Sequence, residues 1–302
     1  MKSEAFSEKN YEKCMLCAHS CGVNRTRGEV GRCGATDKII LARAALHKWE
    51  EPIISGNVGS GTIFFSGCSL GCVYCQNYDI SRGKIKKEVT PQRLSQIMLE
   101  LESRGAHNVN FVTPTHFAPS VISATAAARA AGLTVPIVYN TSSFDSLNTV
   151  RALDGTVDVY LADLKYHTQN LAQKYSYAKE YPAAAKAAIE EMVKQKGAAV
   201  IRDSLMKSGV IIRILILPGH IAEAKLLISY VLQKYGSDVY LSLMSQYTPP
   251  ADMPPPINRK LTRAEYEEVC DFAVKKGLKC GFFQEPESAS EDFIPDFDFS
   301  GV

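Results

Sequence analysis

FFSGCSLGCVYCQN, residues 64–77, sets three cysteines within eight positions directly behind a strongly apolar run. What Cys68, Cys72 and Cys75 hold, and why there are only three, decides how the rest of the chain is read. Nine cysteines occur in all, seven of them before residue 76. In a reducing compartment such clustering points to metal or redox chemistry rather than disulfides. The C-x3-C-x2-C spacing departs from the usual four-thiolate frameworks of zinc sites and electron-transfer clusters. Three thiolates hold three irons of a [4Fe–4S] cluster and leave the fourth iron open to a substrate or cofactor. The plainer alternative is a zinc knot completed by a distant fourth ligand.

Working outward, the bulk numbers are those of an ordinary globular chain: 302 residues, 46% hydrophobic and 22% charged. A formal charge of +2 gives no electrostatic case for nucleic acid or an anionic membrane surface. No stretch approaches the roughly 18–20 apolar residues of a transmembrane helix. The start, MKSEAFSEKNYEKC, lacks the apolar region of a secretory signal, so the expected location is the cytoplasm.

From residue 62, short apolar runs alternate with helical stretches. Strands are predicted at 62–66, 108–113, 134–140, 157–163, 209–217 and 238–245, mostly apolar runs without clean alternation, as befits a parallel sheet covered on both faces. Helices are predicted at 91–104, 120–131, 144–153, 182–196, 221–235 and 262–276. Pro182 sits in a first turn, and Thr262 with Glu265 has capping-box spacing. Six strand–helix units give a parallel α/β architecture, doubly wound or barrel, with its chemistry at the carboxyl ends of the strands. The division is 1–54 for a cysteine-rich segment and connector, 55–284 for the α/β core and 285–302 for an acidic tail that hugs the surface or is mobile. Cys270 and Cys280 read as core thiols.

Polar residues mark the strand ends. Asp163 and Lys165 flank Leu164 and so project to one face, where they must pair with each other or with a ligand. Arg213 lies inside the apolar run VIIRILIL and needs a luminal partner such as a carboxylate. Cys14, Cys17, Cys21 and Cys33, interleaved with glycines, offer four thiolates, which close a coordination sphere around zinc or an auxiliary iron–sulfur cluster. RGKIKK (82–87) is basic, either a solvated turn or a docking patch for an acidic electron donor.

C-x3-C-x-Tyr-C at the end of a first strand resembles the signature of the radical SAM superfamily, whose core is a partial (β/α)6 barrel. Along most of its length the chain is similar to the pyruvate formate-lyase activating enzyme-like subfamily, through CGVNRTRGEVGRCG, GCSLGCVYCQNYDIS, GAHNVNFVTPTHFAPS, PIVYNTSSFDS, VDVYLADLKY, LPG and SLMSQYTP. The resemblance implies a [4Fe–4S] cluster on Cys68, Cys72 and Cys75, with S-adenosylmethionine (SAM) on the open iron and Tyr74 against its adenine. It puts Thr113, Thr115 and His116 where many relatives bind the methionine amino group, although the usual Gly-Gly-Glu is absent. Asn140, Thr141 and Ser142 then face the ribose and carboxylate, and Asn140 stands where activating enzymes carry an Asp. Asp163 and Lys165 match the family's Asp-x-Lys element, Arg213 faces a SAM or substrate carboxylate, and Gln246 contacts substrate or adenine. The implied activity is abstraction of hydrogen from a backbone glycine of a separate glycyl-radical enzyme, with flavodoxin or ferredoxin as electron donor. Other readings are radical chemistry on a small molecule, peptide or RNA, or a non-catalytic metal-binding module.

Overall fold

The structure, a computed structural model, describes residues 6–250, 252–284 and 295–302. Among these, ten strands form: β1 (Ile39–His47), β2 (Ser60–Phe65), β3 (Lys87–Val89), β4 (Val109–Val112), β5 (Ile137–Thr141), β6 (Val159–Asp163), β7 (Val200–Arg202), β8 (Leu205–Leu215), β9 (Tyr240–Met244) and β10 (Gly281–Phe283). The sheet runs β3-β1-β2-β4-β5-β6-β8-β9-β10, and β7 adds a short antiparallel hairpin on β8. From β2 to β10 every neighbour on this path is parallel, whereas β1 and β3 turn back antiparallel at one edge. The six strands expected from the apolar runs are all present and adjacent in chain order. The path has two ends, so the barrel is partial, as the resemblance implied. β10 is a seventh parallel strand too short to show in the sequence pattern.

The helices that cover the sheet return the chain between parallel strands, the connection that parallel pairing requires. They are Pro91–Ser103, Ala118–Ala130, Leu147–Ala152, Tyr181–Lys196, Ile221–Tyr235 and Arg263–Lys275, with an unanticipated short helix at Gln169–Ser176. Their starts follow local chemistry. Thr90 accepts from the Arg93 amide at 3.1 Å ahead of Pro91, and Thr262 with Glu265 forms the expected reciprocal box. β2 and β5 are buried along their whole length, which explains their lack of alternation. On β2, Gly61 is a packing necessity. A Cβ there would lie 2.9 Å from the Ala106 methyl carbon and the Asn108 carbonyl oxygen, and 3.0 Å from Leu101 Cβ.

Residues 39–47, expected as part of a connector, form β1 inside the sheet, between β2 and β3. The preceding segment has only 3-10 turns and is held by docking. Leu16 accepts from the Ser146 amide, Ala18 donates to Phe144 O, and Tyr11 bonds Ser120 at 2.9 Å. It therefore sits on the loops that follow β4 and β5, at the carboxyl ends of the strands. Of the acidic tail, 285–294 fall outside the described residues, while its end hugs the surface. Phe299 donates to Ala42 O, Ala44 donates to Ser300 O, and Phe297 packs edge-on against Phe64. Cys270 and Cys280, expected as core thiols, are only partly buried; Cys270 packs against the main core from the last helix, and Cys280 lies just before β10.

Replacing Gly61 by Ala is expected to destabilise the chain by about 1–3 kcal/mol, because the crowding atoms include backbone that cannot yield. Urea denaturation of Gly61→Ala against wild type measures this, and an unchanged midpoint would contradict the packing described.

Candidate functional site

The loop leaving β2 carries the three cysteines across the barrel mouth. Gly67 begins it at φ +83, and a Cβ there would sit 2.7 Å from Cys33 O, so the amino-terminal segment lies directly against this loop. Further on, Arg82 donates to Gly71 O at 2.9 Å and pins the turn between Cys68 and Cys72. The Gly71 amide points at Cys68 Sγ at 3.4 Å, and Ser176 Oγ donates to Cys72 Sγ at 3.1 Å. All three cysteines line one cavity, together with Tyr74, Thr113, Asn140, Thr141, Ser142, Asp163, Lys165, Arg213 and Gln246. The fold thus gathers most of the residues singled out in the sequence at the carboxyl ends of the strands.

The cavity is organised by charge. Lys165 Nζ donates to Asp163 Oδ2 at 2.7 Å, and Arg213 Nε donates to Asp163 Oδ1 at 2.7 Å. Leu164 between them is buried in the wall, so the alternation read from the sequence holds. Arg213 also reaches Glu50 Oε2 at 3.1 Å and Asn140 Oδ1 at 2.5 Å. Burial would raise the Asp163 carboxyl, but Arg213 and Lys165 outweigh it and hold the group below its usual range. Arg213 is therefore compensated within the chain, by Asp163 and Glu50, rather than waiting for a ligand carboxylate.

Glu50 was not legible in the sequence. It comes from the turn after β1 and accepts from Asn110 at 3.0 Å and Asn140 at 3.3 Å in addition to Arg213. Its only local sign is a pair of acids, WEEP, beside an apolar strand. Tyr74 is buried, and its ring meets Tyr166, Tyr175 and Tyr247 edge-on at 6.0–6.5 Å, forming an aromatic nest at the cavity wall. Gln246 exchanges hydrogen bonds with Gln284 at 2.9 and 3.2 Å.

Two expected residues do not reach the cavity. Thr113 adopts φ +58 at the end of β4, which breaks the strand alternation, and a 3-10 turn over Thr115–Phe117 carries the next side chains away. Thr115 is buried against Thr141, 3.5 Å between hydroxyls. His116 is 2% exposed and donates from Nε2 to Ser66 O at 2.8 Å, while its carbonyl accepts from Arg25. Burial, with the nearby Arg25, lowers its pKa to about 3, so it stays neutral. His116 is scaffold between the cysteine loop and the amino-terminal segment.

Cys14, Cys17, Cys21 and Cys33 lie near enough to feel one another's charge, and burial pushes the Cys17 thiol up to about 12. The same is true of Cys75, pushed to about 12 by burial and then by Cys68 and Cys72. Without a metal the Cys17 and Cys75 thiols would stay protonated. Among the described residues, no three His, Cys, Asp or Glu side chains close on a single-ion position. A [4Fe–4S] cluster makes no such demand, since each thiolate holds a different iron. Three thiols on one cavity wall beside a lysine fit such a cluster.

The comparisons agree with this geometry. Residues 62–224 match the Radical SAM superfamily, and the chain belongs to it. It is 30% identical over 279 residues to an uncharacterized protein of Methanocaldococcus jannaschii, covering 89% of this chain and 76% of that one. Among solved structures it resembles SuiB of Streptococcus suis, with TM-score 0.49 and 12% identity over 75% of this chain and 48% of that one. A radical SAM methyltransferase of Sphaerobacter thermophilus gives TM-score 0.47 and 14% identity over 74% and 66%. The chain thus spans about half the length of SuiB.

A histidine held neutral makes stability depend on pH. The unfolded chain protonates His116 below its ordinary pKa of about 6.5 while the folded chain does not, so stability falls as pH falls from there toward 3. The slope from this group is about 1.4 kcal/mol per pH unit. Denaturant unfolding between pH 6 and 4 is expected to show a shallower pH dependence in His116→Gln, by about that amount. Equal slopes would contradict the burial described.

Proposed function

We propose that the chain is a radical SAM enzyme that reductively cleaves SAM and abstracts hydrogen from an organic substrate. The observation that carries this is the convergence of Cys68, Cys72 and Cys75 on the cavity that also holds the Asp163–Lys165–Arg213 network. Bound to the three cysteines, a [4Fe–4S] cluster would supply one electron to the SAM sulfonium, giving methionine and a 5′-deoxyadenosyl radical. The chain's own residues do the rest. Lys165 lies near the Cys72 sulfur and offsets its thiolate charge. Asn140, Thr141 and Ser142 offer short donors and acceptors to the ribose and the methionine carboxylate. Tyr74 and Tyr247, with Tyr166 and Tyr175 packed against Tyr74, give the adenine an aromatic wall.

The subfamily resemblance points to a backbone glycine of a separate glycyl-radical enzyme as hydrogen donor. A walled side chamber that shares its lining with the cavity favours a small molecule or a peptide side chain instead. The electron donor in this reading is an acidic flavodoxin or ferredoxin. Arg82, Lys84, Lys86 and Lys87 follow the cysteine loop, and Arg82 touches it directly. No helix among the described residues is long and apolar enough to cross a membrane, and a cytoplasmic enzyme is the reading adopted.

The four amino-terminal cysteines are read as a second centre, zinc or an iron–sulfur cluster; the cluster fits their placement better, because zinc would need them to close on one ion and among the described residues no three do. Support comes from Arg25, which is fully buried over the Tyr11 ring and bonds only the carbonyls of Thr36 and His116 and, at 3.8 Å, Cys14 Sγ. Among the described residues no carboxylate pairs with it. A buried cation needs a counter-charge, and metal-bound thiolates are the nearest source.

Anaerobic reconstitution with iron and sulfide, then SAM and dithionite, is expected to yield 5′-deoxyadenosine, and Cys72→Ala is expected to yield none. No product from the wild-type chain would overturn the enzymatic reading. Deuterium transfer from a labelled glycyl-radical partner into the nucleoside would establish the activase form, and its absence would exclude that partner. Metal analysis is expected to show one centre lost in Cys14→Ala, apart from the one lost in Cys72→Ala. Equal metal in Cys14→Ala and wild type would overturn the second centre.

A further inference from the structure

Beside the cysteine cavity lies a chamber of about 400 Å³, between the turn after β1 and the β9–β10 end of the sheet. Its walls come from the turn after β1 (Lys48, Trp49, Glu50, Glu51) and from β9 and β10 (Ser242, Met244, Phe282, Phe283). Trp49, Glu50, Arg213, Met244 and Gln246 line both spaces, so an occupant of the chamber faces the cysteine cavity. Glu51 lines only the chamber. It is 8% exposed, Ser242 hydrogen-bonds its carboxyl, and Oε2 has no partner.

Inside the barrel two cations, Lys165 and Arg213, face three carboxyls: Asp163, Glu50 and Glu51. Lys165 and Arg213 are bonded to Asp163 and Glu50; the charge of Arg213 also reaches Glu51 but forms no ion pair with it, so Glu51 Oε2 is left open. Lys48, the other cation on the chamber wall, is exposed to solvent. Burial pushes the Glu51 carboxyl up, so in the empty chamber it is biased toward the neutral acid. An ammonium group entering from outside would supply the missing donor to Oε2 and, with it, a directly bonded counter-charge that holds the carboxyl ionised. Trp49, Pro52, Met244, Phe282 and Phe283 give the chamber an apolar and aromatic face, which suits a carbon body attached to that group, beside polar Ser55, Gln246 and Gln284.

We infer that this chamber is a substrate subsite for a primary ammonium group carried on an apolar or aromatic body, with Glu51 as its counter-ion. The binding claim stands on the chamber alone; its role in presenting a C–H bond rests on the radical SAM reading above. Trp49 is the chain's single tryptophan and sits on the chamber wall, so its fluorescence reports occupancy without SAM.

Benzylamine, a cation at neutral pH, is titrated into the full-length reconstituted protein without SAM, alongside neutral benzyl alcohol. A saturable change is expected with benzylamine, with affinity at least roughly tenfold above the alcohol. Glu51→Gln, an isostere that keeps the packing, is expected to remove that advantage, and its unchanged melting temperature would verify the fold. Ser242→Ala, which frees the carboxyl of its internal partner, is expected to keep the preference for the cation. Equal affinities for amine and alcohol, no saturable change, or an amine preference that survives in Glu51→Gln would each overturn the subsite. Loss of 5′-deoxyadenosine formation would count against the radical reading and leave this binding result standing.

Discussion

Arg213 is the hinge of the electrostatics: one guanidinium, nearly buried, binds Asp163, Glu50 and Asn140 at once. A charge inside a covered strand is tolerated only when it is paired and its hydrogen bonds are satisfied. Here each partner comes from a different element: β6, the turn after β1, and β5. Satisfying one side chain therefore fixes the spacing of three strand ends and draws the amino-terminal turn into the barrel. Removing one partner of such a buried pair commonly costs about 3–5 kcal/mol, which makes this cluster a condition of the architecture as much as of its chemistry.

Much of this was legible because it is local. The three cysteines stand out by their number and spacing as a metal-cluster motif, and the apolar runs of buried parallel strands announce themselves. Leu164 between Asp163 and Lys165 gives their common face by period-two alternation. The capping box at Thr262 was readable for the same reason. What escaped was decided by closure of the barrel. Glu50 lies far from Arg213 in the chain, and nothing in WEEPII says that one acid turns inward to it. Thr115 and His116, set beside the methionine amino group by the resemblance, turn away from the cavity because a positive φ at Thr113 and the 3-10 turn after it redirect the chain. β10, only three residues long, is a strand because β9 offers it an edge.

The amino-terminal segment and the tail act on the same region. The segment reaches the cysteine loop through Cys33 and Gly67 and the β4 loop through Arg25 and His116. On the other flank Pro295 lines the cavity and Phe297 leans on Phe64. The barrel mouth is thus walled by parts of the chain that lie outside residues 62–224, where the superfamily match falls. That placement surrounds the cavity with segments outside the superfamily match, and substrate choice in the present reading belongs to those walls.

The central claim is that Cys68, Cys72 and Cys75 hold a cluster with one iron open to SAM. Electron paramagnetic resonance of the anaerobically reconstituted, dithionite-reduced chain, recorded before and after addition of SAM, tests this directly. The account predicts a cluster signal whose g values shift when SAM is added, and no such SAM-sensitive signal when Cys75 is replaced by Ala. A signal in the wild-type chain that is indifferent to SAM would contradict it.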